Sequence, residues 1–237
     1  TRQGGHRTAY GSTSYAMKHV FLRQERQPHL LLFFAGWGAE EGLFDRPAMA
    51  GHDCLLCYDY RTMDFDASLL APYASVRLLA WSMGVWAAAT ALQDKTVNWS
   101  GRLAYGGTMT PVDDERGIPE ALFRGTLEGL SGQSLLRFRR RMCGSAAESA
   151  RLAALPLHRR LDDLREELGA LSRRVKEEPV PTFSWDAALI GTADRIFPPG
   201  HQRRAWQGTP QIELPTAHYD RALFRKILSD DDLWTRL

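Results

Sequence analysis

The chain has 237 residues, 44% hydrophobic and 24% charged, the make-up of an ordinary globular protein with room for one α/β core and an insertion. A formal net charge of +2 is too mild to argue for a nucleic-acid binder, and no apolar run approaches the roughly 18 residues that cross a bilayer. Cys54, Cys57 and Cys143 are an odd number, which excludes a disulfide framework, and free thiols fit the cytoplasm.

Residues 1–16 are rich in Gly, Ser, Thr and Arg and lack the apolar stretch of a secretory leader. They are expected to be an added or disordered leader outside the fold, with the natural start at Met17. Residues 30–34 form a solid apolar run ending at Ala35-Gly36-Trp37-Gly38, a predicted strand and a glycine-rich turn. Residues 54–58 and 76–80 are two more such runs. Short apolar runs bounded by turn residues suit strands covered on both faces, as in a parallel sheet. Cys54 and Cys57 have the C-x-x-C spacing of redox and metal sites. Side chains three apart on a strand point to opposite faces, however, so the pair reads as two buried thiols. After the third strand, Trp81-Ser82-Met83 leads into an alanine-rich predicted helix over 84–92. Asn98-Trp99-Ser100 is, in the cytoplasm, a chance sequon without a glycan. Residues 102–105, 187–190 and 212–214 are shorter predicted strands, and 217–237 a terminal helix.

Between Pro111 and Pro181 the texture changes. Leu161, Leu164, Leu168 and Leu171 recur at helical spacing amid Arg and Glu, with no strand-like run. The predicted organisation is an α/β core over 17–112 and 181–237, mostly parallel with helices on both faces, interrupted by a helical cap over 113–180.

Leu79-Ala80-Trp81-Ser82-Met83-Gly84 puts a serine at the apex of a strand, a tight turn and a helix. This is the context of the G-x-S-x-G nucleophile elbow of the α/β-hydrolase fold, with Ala80 in place of the first glycine. The alternative is a serine that only caps the helix. A serine hydroxyl needs a base to become a nucleophile. Outside the leader the histidines are His19, His29, His52, His158, His201 and His218. In the fold's order of serine, acid and histidine, the base follows Ser82. His218 lies just past the final strand, at the sheet edge expected to carry Ser82. His158 sits among arginines as a surface residue, and His201 follows Pro198-Pro199-Gly200 as a turn residue. Asp194 falls in the turn after the strand at 187–190, in a G-x-x-D-x-x-x-P arrangement resembling the acid loop of many α/β hydrolases. An ion pair with an arginine is its alternative, and Asp186 precedes that strand at the other edge. The expected oxyanion donors are the backbone N–H of Met83, next after the serine, and of Trp37, whose flanking glycines admit a close substrate. Trp81 and Phe123 are candidate acyl-pocket residues, with plain core packing as the alternative.

Between 124 and 160 the arginines at 124, 137, 139, 140, 141, 151, 159 and 160 face only Glu128 and Glu148, a formal +6 that leaves −4 on the rest of the chain. On a helix Arg137, Arg140 and Arg141 share one face, while Phe138 and Met142 share another. A charge run is ordinarily a solvated face, but unmatched arginines repel one another and an acidic partner relieves this. Nucleic acid fits poorly, because the remaining chain is net acidic.

Several segments together carry a more specific likeness. They are Phe34-Ala35-Gly36-Trp37-Gly38, Cys57-Tyr58-Asp59-Tyr60, Ala80-Trp81-Ser82-Met83-Gly84-Val85-Trp86, Gly117-Ile118-Pro119, Phe123-Arg124-Gly125-Thr126-Leu127-Glu128, Arg140-Arg141-Met142-Cys143-Gly144 and His218-Tyr219. In these the chain resembles the BioG family, pimeloyl-[acyl-carrier-protein] methyl ester esterases of biotin synthesis, over nearly everything after Met17. The resemblance implies hydrolysis of the methyl ester of a pimeloyl chain carried on the phosphopantetheine arm of acyl carrier protein, with no metal or organic cofactor. Arg124, Arg137, Arg140, Arg141, Arg159 and Arg160 are then the expected docking residues for that acidic carrier. A thioesterase using the same triad, and a carrier-binding module with a dead site, are the rival expectations.

Overall fold

The structure, a computed structural model, describes residues 16–237, so the expected leader lies outside the described residues except for its last residue. Seven strands form one sheet: β1 (Lys18–Arg23), β2 (His29–Phe34), β3 (His52–Tyr58), β4 (Ser75–Trp81), β5 (Trp99–Tyr105), β6 (Ala187–Gly191) and β7 (Gln211–Leu214). Their order is β1-β3-β2-β4-β5-β6-β7. Only β1 runs antiparallel, against β3, and every other pairing is parallel. The six parallel strands match the predicted apolar runs. Leu30, Leu31, Leu32, Phe33 and Phe34 are all fully buried, as a strand covered on both faces requires. Each such side chain contributes about 1.5–3 kcal/mol relative to an exposed one.

The first strand was not expected. Lys-His-Val-Phe-Leu-Arg has an apolar run of only three residues between charged ends, and a half-exposed edge strand needs no longer one. Helix α1 (Met83–Leu92) is buried along most of its length, and its alanines let it lie close against the sheet. Between β5 and β6 come four helices within the 113–180 segment: α2 (Glu120–Glu128), α3 (Gly132–Met142), α4 (Ala146–Ala153) and α5 (Leu161–Glu177). Ser131 and Ser134 form a capping box at the start of α3, and Ser145 caps α4 through the Glu148 N–H. In α5, Leu164, Leu168 and Leu171 are buried on one face, as their spacing predicts.

Two expectations need correction at the end of the chain. His201 is not in a simple turn: it lies in the short helix α6 (Pro199–Ala205), opened by proline at its first position, with Nδ1 2.8 Å from the Gly117 carbonyl. The terminal helix α7 spans Arg221–Ser229, not the whole of 217–237. It begins where the Asp220 side chain accepts the Leu223 N–H and stops at Asp230-Asp231-Asp232, because three acids oppose the negative end of the helix dipole. Cys54 and Cys57 are buried and unpaired, and burial pushes both thiols well above their ordinary range. No described helix is long and apolar enough to cross a membrane.

Candidate active site

Parallel strands bring the loops after β2, β4, β5, β6 and β7 to one edge of the sheet, and the site is assembled there. Ser82 sits between β4 and α1 with φ 60° and ψ −131°, the strained turn that lifts a side chain above the sheet edge. Its N–H donates to the Tyr105 carbonyl at 3.0 Å, which ties the turn to β5. Close packing explains the neighbouring small residues. A Cβ on Gly84 would press into the carbonyl oxygens of Phe34 and Ala35. One on Gly36 would lie 2.9 Å from Ser82 Cβ and 3.3 Å from its Oγ. Ala80, in register with Phe34 and Ala104, is wholly buried, so its extra methyl is accommodated inside the sheet.

His218 Nε2 lies 2.9 Å from Ser82 Oγ, and Nδ1 lies 2.8 Å from Asp194 Oδ2. A carboxylate only accepts, so Nδ1 carries the proton and Nε2 faces the hydroxyl as an acceptor. Asp194 is fixed through both oxygens: Oδ1 accepts the N–H groups of Ile196 and Phe197 at 2.8 and 2.9 Å, and Oδ2 also accepts from Gln202 Nε2 at 3.2 Å. Gly106, with φ +58°, leaves room beside the pair, because a Cβ there would lie 3.3 Å from both Asp194 Oδ2 and His218 Nδ1. The histidine loop is held by Trp81, whose indole N–H donates to the His218 carbonyl at 2.9 Å, and by Tyr105, whose hydroxyl donates to the Ala217 carbonyl at 2.7 Å. The rings of Trp81 and Phe197 both contact the imidazole. His218 and Asp194 are buried. Asp186, at the opposite edge, pairs with Arg102 at 2.9 Å.

Trp37 and Met83 line the cleft over Ser82. Met83 is the first residue of α1, so its N–H has no acceptor within the helix. The Trp37 N–H has no backbone acceptor among the described residues. Trp81 and Phe123 line the same cleft, and Leu122, Phe138, Met142 and Leu168 of the insertion complete an apolar wall. Trp81 thus both lines the cleft and anchors the histidine loop. Gln202 had escaped sequence reasoning, because an amide carries no motif. The signal available was Pro199 at the start of a helix five residues past the acid, which brings Gln202 round one turn later.

The arginines divide. Arg124, Arg137, Arg140 and Arg141 are exposed, and Arg141 also reaches the cleft and donates to the Arg195 carbonyl at 3.1 Å. Arg160 is exposed, 76% by side chain. Arg159 corrects the expectation: its side chain is 9% exposed, with Nη1 2.8 Å from Glu167 Oε2 and Nη2 3.4 Å from Asp59 Oδ1. It turns inward because two buried carboxylates need a cation, so it is no docking residue. Half-buried Arg139 has its pKa lowered by desolvation.

A serine, histidine and aspartate joined this way at the carboxyl edge of a mostly parallel sheet define a protein of the α/β-hydrolase fold. A family model described as "Pimeloyl-ACP methyl esterase BioG" matches residues 17–229, and the chain belongs to that family. The crystal structure of BioG from Haemophilus influenzae superposes with a TM-score of 0.82 at 36% identity, covering 90% of this chain and 100% of that one. A Bacteroides fragilis protein named malonyl-[acyl-carrier protein] O-methyltransferase is 44% identical over 201 residues, 84% of this chain, and this chain spans 41% of that relative's length. An esterase from Exiguobacterium antarcticum shares the fold, with a TM-score of 0.63 at 16% identity over 85% of this chain and 87% of its own.

Proposed function

We propose that the chain hydrolyses the methyl ester of a pimeloyl group carried on acyl carrier protein, through Ser82, His218 and Asp194. The observation that carries this reading is the relay itself, 2.9 Å from Ser82 Oγ to His218 Nε2 and 2.8 Å from Nδ1 to Asp194 Oδ2. His218 takes the Ser82 proton as the oxygen attacks the ester carbonyl. The backbone N–H groups of Met83 and Trp37 receive the oxyanion, and a donor of this kind is worth about 10²–10³ in kcat. Methanol leaves with the proton from His218. Water, activated by the same imidazole, then opens the acyl-enzyme and frees the acid, with no cofactor called on. Asp194 holds the Nδ1 tautomer throughout and supports the imidazolium when it forms.

The apolar cleft suits a methylene chain, and the helices over 113–180 serve as a cap that walls it, above a core of 17–112 and 181–237. Exposed Arg124, Arg137, Arg140, Arg141 and Arg160 offer positive charge to an acidic carrier, with Arg141 at the cleft itself. The carrier protein in the name of the Bacteroides fragilis relative supports the same partner class, and such a reaction belongs in the cytoplasm. Incubation with pimeloyl-carrier methyl ester, followed by mass analysis of the carrier, tests the reading. The expected product is the intact acyl carrier lighter by one CH₂ unit. Release of the acyl group from the carrier would mark a thioesterase instead, and an unchanged carrier would mark a binding module.

A further inference from the structure

The loop after β2 is tied at its start to β3 and the loop that follows it: the Ala35 N–H donates to the Cys57 carbonyl at 3.0 Å, and the Ala35 carbonyl accepts the Tyr60 hydroxyl at 2.5 Å. Further along, the Ala39 N–H donates to the Gly36 carbonyl at 3.2 Å. Residues 37–40 are held as well from the insertion, more than a hundred residues away in sequence. The Trp37 indole N–H donates to the Leu164 carbonyl at 2.9 Å, and the Gly38 N–H donates to Glu167 Oε2 at 3.3 Å. Arg159 Nη1 donates to the Ala39 carbonyl at 3.3 Å. The Glu40 carboxylate accepts the backbone N–H groups of His158 and Arg159 at 2.6 and 2.9 Å.

At the centre is Glu167, a carboxylate on α5 with no exposed surface. Its Oε1 accepts the Tyr60 N–H at 3.0 Å, so one side chain bridges the loop after β2 and the loop after β3. Arg159 supplies the countercharge at 2.8 Å and reaches on to Asp59, a residue at φ 67° that Arg61 also grips through both carboxylate oxygens. Burial pushes the Glu167 carboxyl above its usual range, opposed by Arg159 and the Tyr60 N–H. An apolar side chain would fill the same space without the desolvation that a buried ion pair entails. What it could not do is accept N–H groups from two loops at once.

We propose that Glu167, backed by Arg159, is a positioning residue: by holding the Gly38 N–H it fixes the adjoining Gly36–Trp37 peptide, whose Trp37 N–H is the oxyanion donor. The inference rests on the reading of Trp37 N–H as such a donor. An interaction that orients a transition-state contact lowers kcat when lost and leaves KM nearly untouched. Glu167→Gln keeps the size but leaves one acceptor oxygen where two were used. On a small soluble ester it should lose kcat on the order of 10- to 100-fold, less than removing a donor outright, with KM within about twofold. Glu167→Asp should recover part of that loss, and affinity for a boronic acid that forms a tetrahedral serine adduct should fall in step with kcat. Asp163→Asn is the control: Asp163 ties the same helix to the core through Arg61 at 3.1 Å but does not touch the loop. It should stay within about twofold of the parent enzyme.

Rates are referred to the fraction of Ser82 that a fluorophosphonate labels at saturation, so a partly unfolded variant is not counted as a slow one. A kcat for Glu167→Gln within twofold of the parent, or a loss shared equally by Asp163→Asn, overturns the proposal. Should Glu167→Gln fail to fold, Trp37→Phe cuts the tie to Leu164 and keeps the backbone N–H. It should lower kcat several-fold at constant KM, and unchanged kcat there is equally fatal. Ser82→Ala tests the underlying reading separately: if it remains active, that reading fails, whatever Glu167 does.

Discussion

The sheet and the helical insertion build one cleft by different means. In the sheet, apolar strands fix the backbone, and the backbone fixes Ser82, Asp194 and His218 with N–H and C=O groups as the main props. In the insertion, charge does much of the positioning: outward-facing arginines on α2 and α3, and an inward-facing carboxylate–guanidinium pair at α5. The two regions should therefore fail differently. Damage to the sheet edge should slow every ester alike, whereas damage to the outer face of the insertion should be felt only with a carrier-bound one.

Substitutions in each region separate the two modes of failure. Asp194→Asn leaves the geometry but misplaces the imidazole proton. It should lower kcat by about 10⁴-fold on both a small soluble ester and the carrier-bound ester. A marked difference between the two substrates would contradict the assignment of Asp194 to the chemistry. Gly36→Ala puts a methyl 2.9 Å from Ser82 Cβ and 3.3 Å from its Oγ and displaces the loop after β2, so a loss of about 10²-fold is expected, again on both substrates. The joint change of Arg124, Arg137 and Arg140 to alanine, which spares the cleft-lining Arg141, acts on the other region. Exposed pairs are worth about 0–1 kcal/mol each, so together they should raise KM for the carrier-bound ester about tenfold and leave the small ester within twofold. An equal loss on both would mean that these arginines support the cleft and not the partner. The smallest effect concerns the thiols. Cys54 and Cys57 are sealed in β3, and burial pushes Cys143 up to about 11. None of the three should react with a thiol reagent in the native protein at neutral pH, and rapid labelling of any one would show that its element opens.

What could be read from sequence follows the same division. The meeting of Ser82, Asp194 and His218 at one sheet edge was legible because continuous apolar runs mark buried strands and small residues mark the tight turns after them. The edge strand β1 is hard to read because a half-exposed strand needs no more than its short Val20-Phe21-Leu22 run, and the end of α7 because a local pattern does not show where three acids will end a helix. Gln202 and Glu167 belong to a harder class. Each is a polar residue whose partner is chosen by tertiary packing, 8 residues away for Gln202 and as far as 129 for Glu167. Glu167 did leave a trace: it falls within the apolar stripe of Leu164, Leu168 and Leu171, where a charge is anomalous unless something buried pairs with it. Arg159 was misassigned for the converse reason, since composition counts an arginine but does not say which way it turns.

Activation of Ser82 by His218 across 2.9 Å can be read out by fluorophosphonate labelling followed by peptide mass analysis. One adduct is expected, on the Ser82 peptide, absent from Ser82→Ala and formed at least about 10³-fold more slowly in His218→Ala. An adduct on another residue, or a labelling rate indifferent to loss of the imidazole, would contradict it.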